Sequence, residues 1–229
     1  MSKNVLITGC SSGLGLALTH YYLEAGYHVF GISRTQPSIT HENFTFKACD
    51  LIQTQLIKNN LKEFIQNIQA LDLVYLNAGM LGEIKSSFEL TIEELQEVYN
   101  LNVYANKELL DILATIEVKT IIGLSSGASV NGSKGWASYS LSKAGLNMLL
   151  NLYSKEMPNS VLLAVAPGVV ETPMTDYIRF DINDQEFPSA QRLKNGEIQT
   201  PEQAAQRLAK VAQQSDKFES GAFIDVRSL

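Results

Sequence analysis

The sequence has few cysteines, no long apolar run and no cluster of basic residues. Its two cysteines, Cys10 and Cys49, lack the spacing of metal ligands, so we expect reduced thiols, no metal site and a cytoplasmic protein. The net charge is −6, and because nucleic-acid phosphates require clustered Lys and Arg, no nucleic-acid partner is expected. The apolar run Val5–Ile7 is too short for a signal peptide, and no run approaches the length of a membrane span, so no membrane partner is predicted.

The composition is that of an ordinary globular protein. Of the 229 residues, 45% are hydrophobic and 18% are charged. This length is sufficient to bury the core of one α/β domain. Because we find no repeat, low-complexity tract or linker, we predict a single domain over residues 1–229.

The stretch Ser125–Lys143 contains three residues that together suit hydride-transfer chemistry: Ser126, Tyr139 and Lys143. Tyr139 and Lys143 stand at i and i+4, so on a helix both side chains lie on one face. A lysine ammonium beside a phenol lowers the pKa of the tyrosine, which can then exchange a proton with a carbonyl or alcohol oxygen. Ser126 follows the predicted strand Thr120–Leu124, at the strand end where open α/β sheets bind ligands. The alternative is that this stretch only begins an amphipathic helix.

A glycine-rich turn lies between a short apolar strand and a helical pattern that ends near Ala25. The strand is Val5–Ile7, and the turn contains Gly9, Gly13 and Gly15. Strand, glycine turn and helix form the context of a dinucleotide-binding motif. The second glycine lets the backbone approach a pyrophosphate at the helix N-terminus, and the third lets the helix pack closely on the strand. A plain tight turn is the alternative.

The second predicted strand, His28–Ser33, is followed by Arg34 and by no nearby Asp or Glu. In NAD-binding folds a carboxylate usually follows this strand and binds the ribose 2′-hydroxyl. A guanidinium suits a 2′-phosphate instead. The missing carboxylate favours NADP(H) over NAD(H), although Arg34 alone is equally compatible with a solvated surface residue.

Polar or small residues follow the next two predicted strands. Asp50 follows Phe44–Ala48 and stands where it could contact an adenine amino group or cap the next helix, predicted from about residue 53 to 67. Asn77–Gly79 follow Leu73–Leu76, where small residues would let a cofactor lie against the strand end. An ordinary turn is the alternative for Asn77–Gly79.

Two longer helices are predicted in the middle of the chain. Thr91 and Glu94 form a capping-box pattern that starts a long helix with Asn102 at its middle. Asparagine is mildly unfavourable there, so Asn102 is either exposed or bonds backbone and water inside a site. The second helix extends from about Ser138 to Glu156. Its predicted buried positions are Leu141, Leu146, Met148, Leu149 and Leu152.

The last third of the chain contains a predicted strand, a lid, a helix and a final strand. The strand is Val161–Val165. Residues 174–198 have weak periodicity and mixed charges, which favours a mobile substrate lid with one short helix. The helix begins at Thr200 with proline at its first position, and the last strand is Ala222–Val226.

Alternating strands and helices predict an α/β Rossmann fold, a doubly wound parallel sheet of about seven strands with helices on both faces. With the motifs above, the chain resembles the short-chain dehydrogenase/reductase family over nearly its whole length. Lys134-Gly135-Trp136 resembles the sepiapterin reductase and benzil reductase branch of that family. The family correspondences are Thr8, Gly9, Gly13, Gly15, Asp50, Asn77-Ala78-Gly79, Asn102, Ser126, Tyr139, Lys143, Pro167-Gly168 and Thr172.

The resemblance implies a catalytic set of Asn102, Ser126, Tyr139 and Lys143. Tyr139 would donate a proton to the substrate carbonyl oxygen, which Ser126 would hydrogen-bond. Lys143 would lower the pKa of the tyrosine and hold the nicotinamide ribose, and Asn102 would hold a water that relays protons. Thr172 would contact the nicotinamide carboxamide.

The resemblance also implies the binding residues. The predicted cofactor-binding residues are Gly9, Ser11, Ser12, Gly13, Leu14, Gly15, Arg34, Asp50, Leu51, Asn77, Ala78, Gly79, Tyr139, Lys143, Pro167, Gly168, Val170 and Thr172. The predicted substrate-binding residues are Ser126, Trp136 and Tyr139, with Met80, Leu81, Tyr177 and Phe180 as further candidates for pocket walls, core or lid packing.

The function expected from this resemblance is an NADPH-dependent carbonyl reductase that acts on a small, largely apolar ketone or 1,2-diketone. The alternatives are an NAD-linked alcohol dehydrogenase, an enzyme of acyl-carrier thioesters and a non-catalytic NADP-sensing regulator. A basic docking patch for an acyl carrier is not evident, and the complete catalytic set disfavours the regulator. The family implies a homodimer or homotetramer formed through its two central helices.

Overall fold

The computed structural model describes residues 3–229. Within them, seven parallel strands form one sheet, which confirms the predicted doubly wound parallel sheet of about seven strands; their order is β3-β2-β1-β4-β5-β6-β7. The strands are β1 (Asn4–Thr8), β2 (His28–Ser33), β3 (Phe44–Ala48), β4 (Ala70–Leu76), β5 (Glu117–Leu124), β6 (Val161–Ala166) and β7 (Phe223–Asp225). The chain direction across the sheet reverses between β1 and β4, which opens a crevice at the carboxyl ends of these strands.

The same residues form eight α-helices. They are α1 (Gly13–Glu24), α2 (Thr54–Gln66), α3 (Ile92–Tyr99), α4 (Ala105–Leu113), α5 (Ala137–Glu156), α6 (Pro173–Phe180), α7 (Pro188–Asn195) and α8 (Pro201–Gln213). No helix in residues 3–229 combines the length and the apolar character that crossing a bilayer requires.

Two apolar cores, one on each face of the sheet, follow from the alternation of side chains along each strand. In β1, Val5 and Ile7 point to one core and Leu6 to the other. In β6, Leu163 belongs to the first core and Leu162 to the second. Nearly continuous apolar runs are therefore what a parallel sheet covered on both faces requires.

The long helix predicted from Thr91 forms, with Asn102 near its middle, but it is not α-helical throughout. Its capping box forms, because Thr91 accepts from the Glu94 amide and Glu94 accepts from the Thr91 amide. After α3, however, a π-helical turn spans Asn100–Tyr104 before α4 begins, and Asn102 lies in that turn. π-turns of this kind often occur at functional sites.

The burial predicted for α5 is largely wrong. Leu146 is buried, but Leu141, Met148 and Leu152 are exposed. The inward positions include polar side chains instead, among them Lys143, which is 4% exposed. Hydrophobicity alone misassigned this helix because its inner face lines a polar site.

The region predicted as a lid with one short helix contains two, α6 and α7. Pro173 and Pro188 stand at the first position of each. The apolar residues of these helices form a third cluster with residues of the preceding loops. Its members are Leu81, Ile84, Trp136, Ile178, Ile182, Phe187 and Ala190.

The first turn of α1 has no room for a side chain at Gly15, which packs against the turn that follows β1. A Cβ built there would overlap the carbonyl oxygen of Gly9 and lie 2.5 Å from Asn77 Nδ2. Because these atoms belong to a rigid turn and a strand end, we expect Gly15→Ala to lower the free energy of unfolding by roughly 3 kcal/mol or more, measured by urea denaturation.

Gly132→Ala is the matched control. A Cβ at Gly132 would meet no atom within 4 Å, and the residue does not have a positive φ. We expect that substitution to change the free energy of unfolding by less than about 0.5 kcal/mol. Equal effects of the two substitutions would show that the close approach at Gly15 does not constrain the fold.

Candidate active site

A cavity of about 580 Å³ lies at the carboxyl ends of the strands. This volume is typical of small-molecule sites. It brings together every residue predicted to bind cofactor, together with Ser126, Trp136, Tyr139 and Lys143. Of the residues predicted to be catalytic, cofactor-binding or substrate-binding, Asn102 alone does not line it; the further pocket-wall candidates are described below. In residues 3–229, no group of three or more His, Cys, Asp or Glu side chains converges as metal ligands would.

The N-terminus of α1 opens on this cavity. Ser12 is its N-cap residue, yet the Ser12 side chain makes no capping hydrogen bond, and the first turn contains no acidic residue. The free N–H groups and the helix dipole therefore favour an anionic ligand at this point.

Asn77 ties the glycine turn to the end of β4. Its Nδ2 donates to the carbonyl oxygen of Thr8 at 2.9 Å, and its amide donates to Thr8 Oγ1 at 3.0 Å. The Ala78 amide also donates to Thr8 Oγ1 at 3.0 Å. Although Asn77 lines the cavity, its side chain is therefore already used to position the turn.

Lys143 is held inside the protein by a carbonyl oxygen. Its Nζ donates to the carbonyl of Leu124 at 2.7 Å and lies 5.6 Å from the centre of the Tyr139 ring. Burial lowers the pKa of Lys143 to about 8. Part of the lysine charge is thus lost just above neutral pH in the free protein.

The pKa of Tyr139 is not lowered, although the sequence analysis predicted that Lys143 would lower it. Burial raises the pKa of Tyr139 to about 12, and the Ser126 hydroxyl acts in the opposite direction without overcoming it. The predicted lowering by Lys143 does not govern this pKa in the free protein, because desolvation of the phenol is the larger effect. At neutral pH Tyr139 therefore holds its proton.

Ser126 lies in a hydrogen-bonded loop that α5 supports. Asn147 Nδ2 donates to Ser129 Oγ at 2.8 Å, and Ser129 Oγ donates to the carbonyl oxygen of Ser126 at 2.6 Å. Asn147 Oδ1 accepts from Ser125 Oγ. Asn147 was missed in the sequence, although its i+4 spacing from Lys143 places it on the same helix face.

Asn102 uses its side chain to hold the loop that follows β4, and it does not line the cavity. Its Oδ1 accepts from the Met80 amide, and its Nδ2 donates to the Met80 carbonyl and to Ser142 Oγ, each at 2.9 Å. Ser142 Oγ in turn donates to the Tyr139 carbonyl at 2.8 Å. Both hydrogens of the Asn102 amide are therefore used, and the water relay remains a prediction.

Many of the side chains that line the cavity together with Tyr139 are apolar. Trp136 lines it as predicted, as do Met80 and Leu81. Tyr177 and Phe180 do not: the Tyr177 hydroxyl faces Glu83 and Phe180 is 70% exposed. The apolar lining residues that the sequence analysis missed include Met174, Ile178 and Leu193. The i, i+4 spacing of Met174 and Ile178 could have indicated that both lie on one face of a helix.

Arg34 and Asp50 lie at the other end of the cavity. Arg34 is exposed, and within residues 3–229 no carboxylate forms an ion pair with it. Asp50 accepts from the Ile52 amide and from Gln53 Nε2, but the N-cap residue of α2 is Gln53. The helix-cap alternative for Asp50 is therefore not what the structure shows.

Burial of Lys143 predicts a specific pH dependence of stability. Its pKa falls from 10.5 to about 8 in the folded protein, so between these values the unfolded chain binds a proton that the folded protein lacks. The free energy of unfolding must then rise with pH. Relative to Lys143→Met, we expect the wild type to gain roughly 1–3 kcal/mol between about pH 7.5 and pH 10.5, measured by urea denaturation.

Lys155→Met, which removes an exposed lysine from the same helix, is the control and should follow the wild type across this pH range. If the wild type and Lys143→Met showed parallel pH curves, the lysine would not be desolvated as the structure indicates.

Comparisons with known proteins agree with the fold and the motifs. The profile of the short chain dehydrogenase family matches residues 3–183. A benzil reductase ((S)-benzoin forming) of Bacillus subtilis is 31% identical over 98% of this chain and 98% of that protein. A benzil reductase of Saccharomyces cerevisiae is 31% identical over 81% of this chain and 78% of its own length.

Among solved structures, a short chain dehydrogenase family protein from Francisella tularensis superposes with a TM-score of 0.84 and 26% identity. The match covers 98% of this chain and 97% of that one. The chain therefore belongs to the short-chain dehydrogenase/reductase family and is an NAD(P)-dependent oxidoreductase that acts on carbonyl or CH–OH groups.

Proposed function

We propose that the protein is an NADPH-dependent carbonyl reductase of compact, largely apolar ketones or 1,2-diketones. One observation carries the proposal. A single cavity joins the uncapped N-terminus of α1 and the unpaired Arg34 at one end to Ser126, Tyr139 and Lys143 at the other. Apolar side chains, among them Trp136, Met174 and Ile178, line the cavity together with Tyr139.

The residues present fit a dinucleotide phosphate. Gly15 lets α1 pack against the end of β1, which leaves the free amides of the first turn open to a pyrophosphate. No carboxylate of residues 3–229 forms an ion pair with Arg34, which would bind a 2′-phosphate through charge-assisted hydrogen bonds. When bound, the nicotinamide supplies the hydride for the carbonyl carbon.

The proton for the alcohol product would come from Tyr139. Its raised pKa of about 12 keeps the phenol protonated at neutral pH, which is the form that donates. Ser126 Oγ accepts from the Ala128 amide at 3.1 Å and would donate its own hydrogen to the carbonyl oxygen of the substrate. Hydride addition to carbon and proton addition to oxygen together complete the reduction to an alcohol.

Lys143 would act after the proton leaves Tyr139. A protonated Lys143 on the same helix face stabilises the phenolate electrostatically. Lys143 would also hydrogen-bond the hydroxyls of the nicotinamide ribose inside the cavity. Asn102 and Ser142 would keep the backbone at Met80 and Tyr139 in place during these changes.

The substrate class follows from the cavity walls and from the relatives. Met174, Ile178 and Leu193 offer no hydrogen bond to a polyol or a charged group. The names of the two relatives refer to benzil, an apolar 1,2-diketone.

We also propose that the protein forms a homodimer or homotetramer through α5. Leu141, Met148 and Leu152 are each at least 50% exposed and recur at spacings of seven and four, so they form one apolar stripe. Tyr104 of the π-helical turn adds a further exposed ring. A second copy that covered this stripe would remove these side chains from water.

The NADPH preference predicts the effect of Arg34→Ala. Loss of a charge-assisted contact with the 2′-phosphate should lower kcat/KM for NADPH by about ten- to a hundredfold and leave that for NADH within about twofold. Steady-state kinetics with both cofactors measure this. Arg207→Ala, an exposed arginine of α8, is the control for a change in surface charge. Equal use of both cofactors by the wild type would contradict the assignment.

The proton-donor role predicts the effect of Tyr139→Phe. This change removes one hydroxyl and should lower kcat by about 10²–10⁴-fold while NADPH binding survives. Oxidation of NADPH would be followed with ketones, 1,2-diketones, pterins and sugars, and cofactor affinity by fluorescence. We expect the best wild-type substrates among the apolar ketones and diketones.

Tyr177→Phe is the matched control, because Tyr177 lies outside the cavity. Turnover of sugars alone would refute the substrate class. If Tyr139→Phe kept kcat within a few-fold of the wild type, Tyr139 would not be the acid, and the nucleotide-sensing alternative would gain support.

A further inference from the structure

The loop that precedes α5 is the surface on which α7 rests. Arg192 Nη2 donates to Ser133 Oγ at 3.0 Å, and Lys134 Nζ lies 5.3 Å from the centre of the Phe187 ring. Trp136 Nε1 donates to Ser189 Oγ. The Lys-Gly-Trp sequence thus contacts the predicted lid directly.

Trp136 also belongs to the wall of the cavity. It is 9% exposed, and its ring meets that of Tyr139 edge-on, with the ring centres 6.0 Å apart. Indole has a single polar hydrogen, and Ser189, which is 6% exposed, accepts it. This one hydrogen bond therefore fixes the rotation of the ring that stands beside the candidate proton donor.

We propose that Ser189 is a positioning residue for substrate selection. Its hydrogen bond from Trp136 connects α7 to the indole ring that forms the cavity wall beside Tyr139. The proposal rests on the carbonyl reductase function above. With Ser189 removed, a buried N–H loses its partner and the indole turns toward another acceptor or water. The Trp136 wall is then displaced, which affects the binding of any substrate large enough to contact it.

A spectroscopic test needs neither substrate nor turnover. The chain has a single tryptophan, so its fluorescence reports on Trp136 alone. We expect Ser189→Ala to shift the emission and to raise the acrylamide quenching constant by about twofold or more, because the local structure opens more readily. Ser189→Thr keeps the hydroxyl and should restore the wild-type values.

Ser133→Ala is the matched control. It removes the bond from Arg192 to the same loop but leaves Trp136 Nε1 and Ser189 Oγ paired. Its quenching should equal that of the wild type. An effect as large as that of Ser189→Ala would mean that lid attachment in general, and not this hydrogen bond, holds the ring, and would overturn the proposal.

A kinetic test compares two diketones of different size. With benzil, Ser189→Ala should lower kcat/KM by about five- to thirtyfold, mainly through KM, whereas 2,3-butanedione, which is too small to press on the wall, should change by less than about twofold. The Kd for NADPH should not change. In a Trp136→Phe background, Ser189→Ala should cost less than about twofold, since the N–H is already absent.

The failure of this inference is distinguishable from failure of the proposed function. If the wild type reduces neither diketone, the function is wrong, while the quenching experiment still decides whether Ser189 positions Trp136. If the wild type reduces both and Ser189→Ala changes neither the quenching nor the ratio of the two kcat/KM values, the role given to Ser189 is wrong.

Discussion

The close approach of α1 to the end of β1 is the constraint on which the site depends. No side chain fits at Gly15, so the first turn of α1 stands directly against Gly9 and Asn77. Asn77 then ties the same turn to β4 through Thr8. The helix N-terminus, the crevice between β1 and β4 and the small residues after β4 are thereby fixed in one place, and the cavity extends from there to Tyr139.

Helix α5 shows how a functional site changes the usual rules of burial. Its inner face presents Ser142, Lys143 and Asn147 to the protein interior, each with hydrogen-bond partners. The hydrogen bond to the Leu124 carbonyl offsets part of the free energy that is lost when the Lys143 ammonium is buried. The pKa of Lys143 is still lowered, because this one bond does not replace the lost hydration. The same face of α5 also positions Tyr139 and the Ser126 loop, through Ser142 and Asn147.

Strands and glycine turns were predictable because their signals are local. Apolar runs bounded by turns locate the strands, and Gly15 is recognisable from strand, turn and helix alone. The π-helical turn was not predictable, since Asn100–Tyr104 contains neither Gly nor Pro to mark the change. The pKa of Tyr139 was misjudged for another reason: Lys143 is visible in sequence at i+4, but the desolvation that outweighs it depends on residues from the whole site.

The contact between Trp136 and Ser189 spans 53 positions in the chain, and no local pattern indicates it. In sequence, Trp136 served only as part of a short family signature and as a candidate pocket wall. In the structure, the indole of Trp136 forms part of the cavity wall, and its buried N–H donates a hydrogen bond to Ser189. If Ser189 positions Trp136 as proposed, α7 shapes the cavity through Ser189 as well as through Leu193, which lines it.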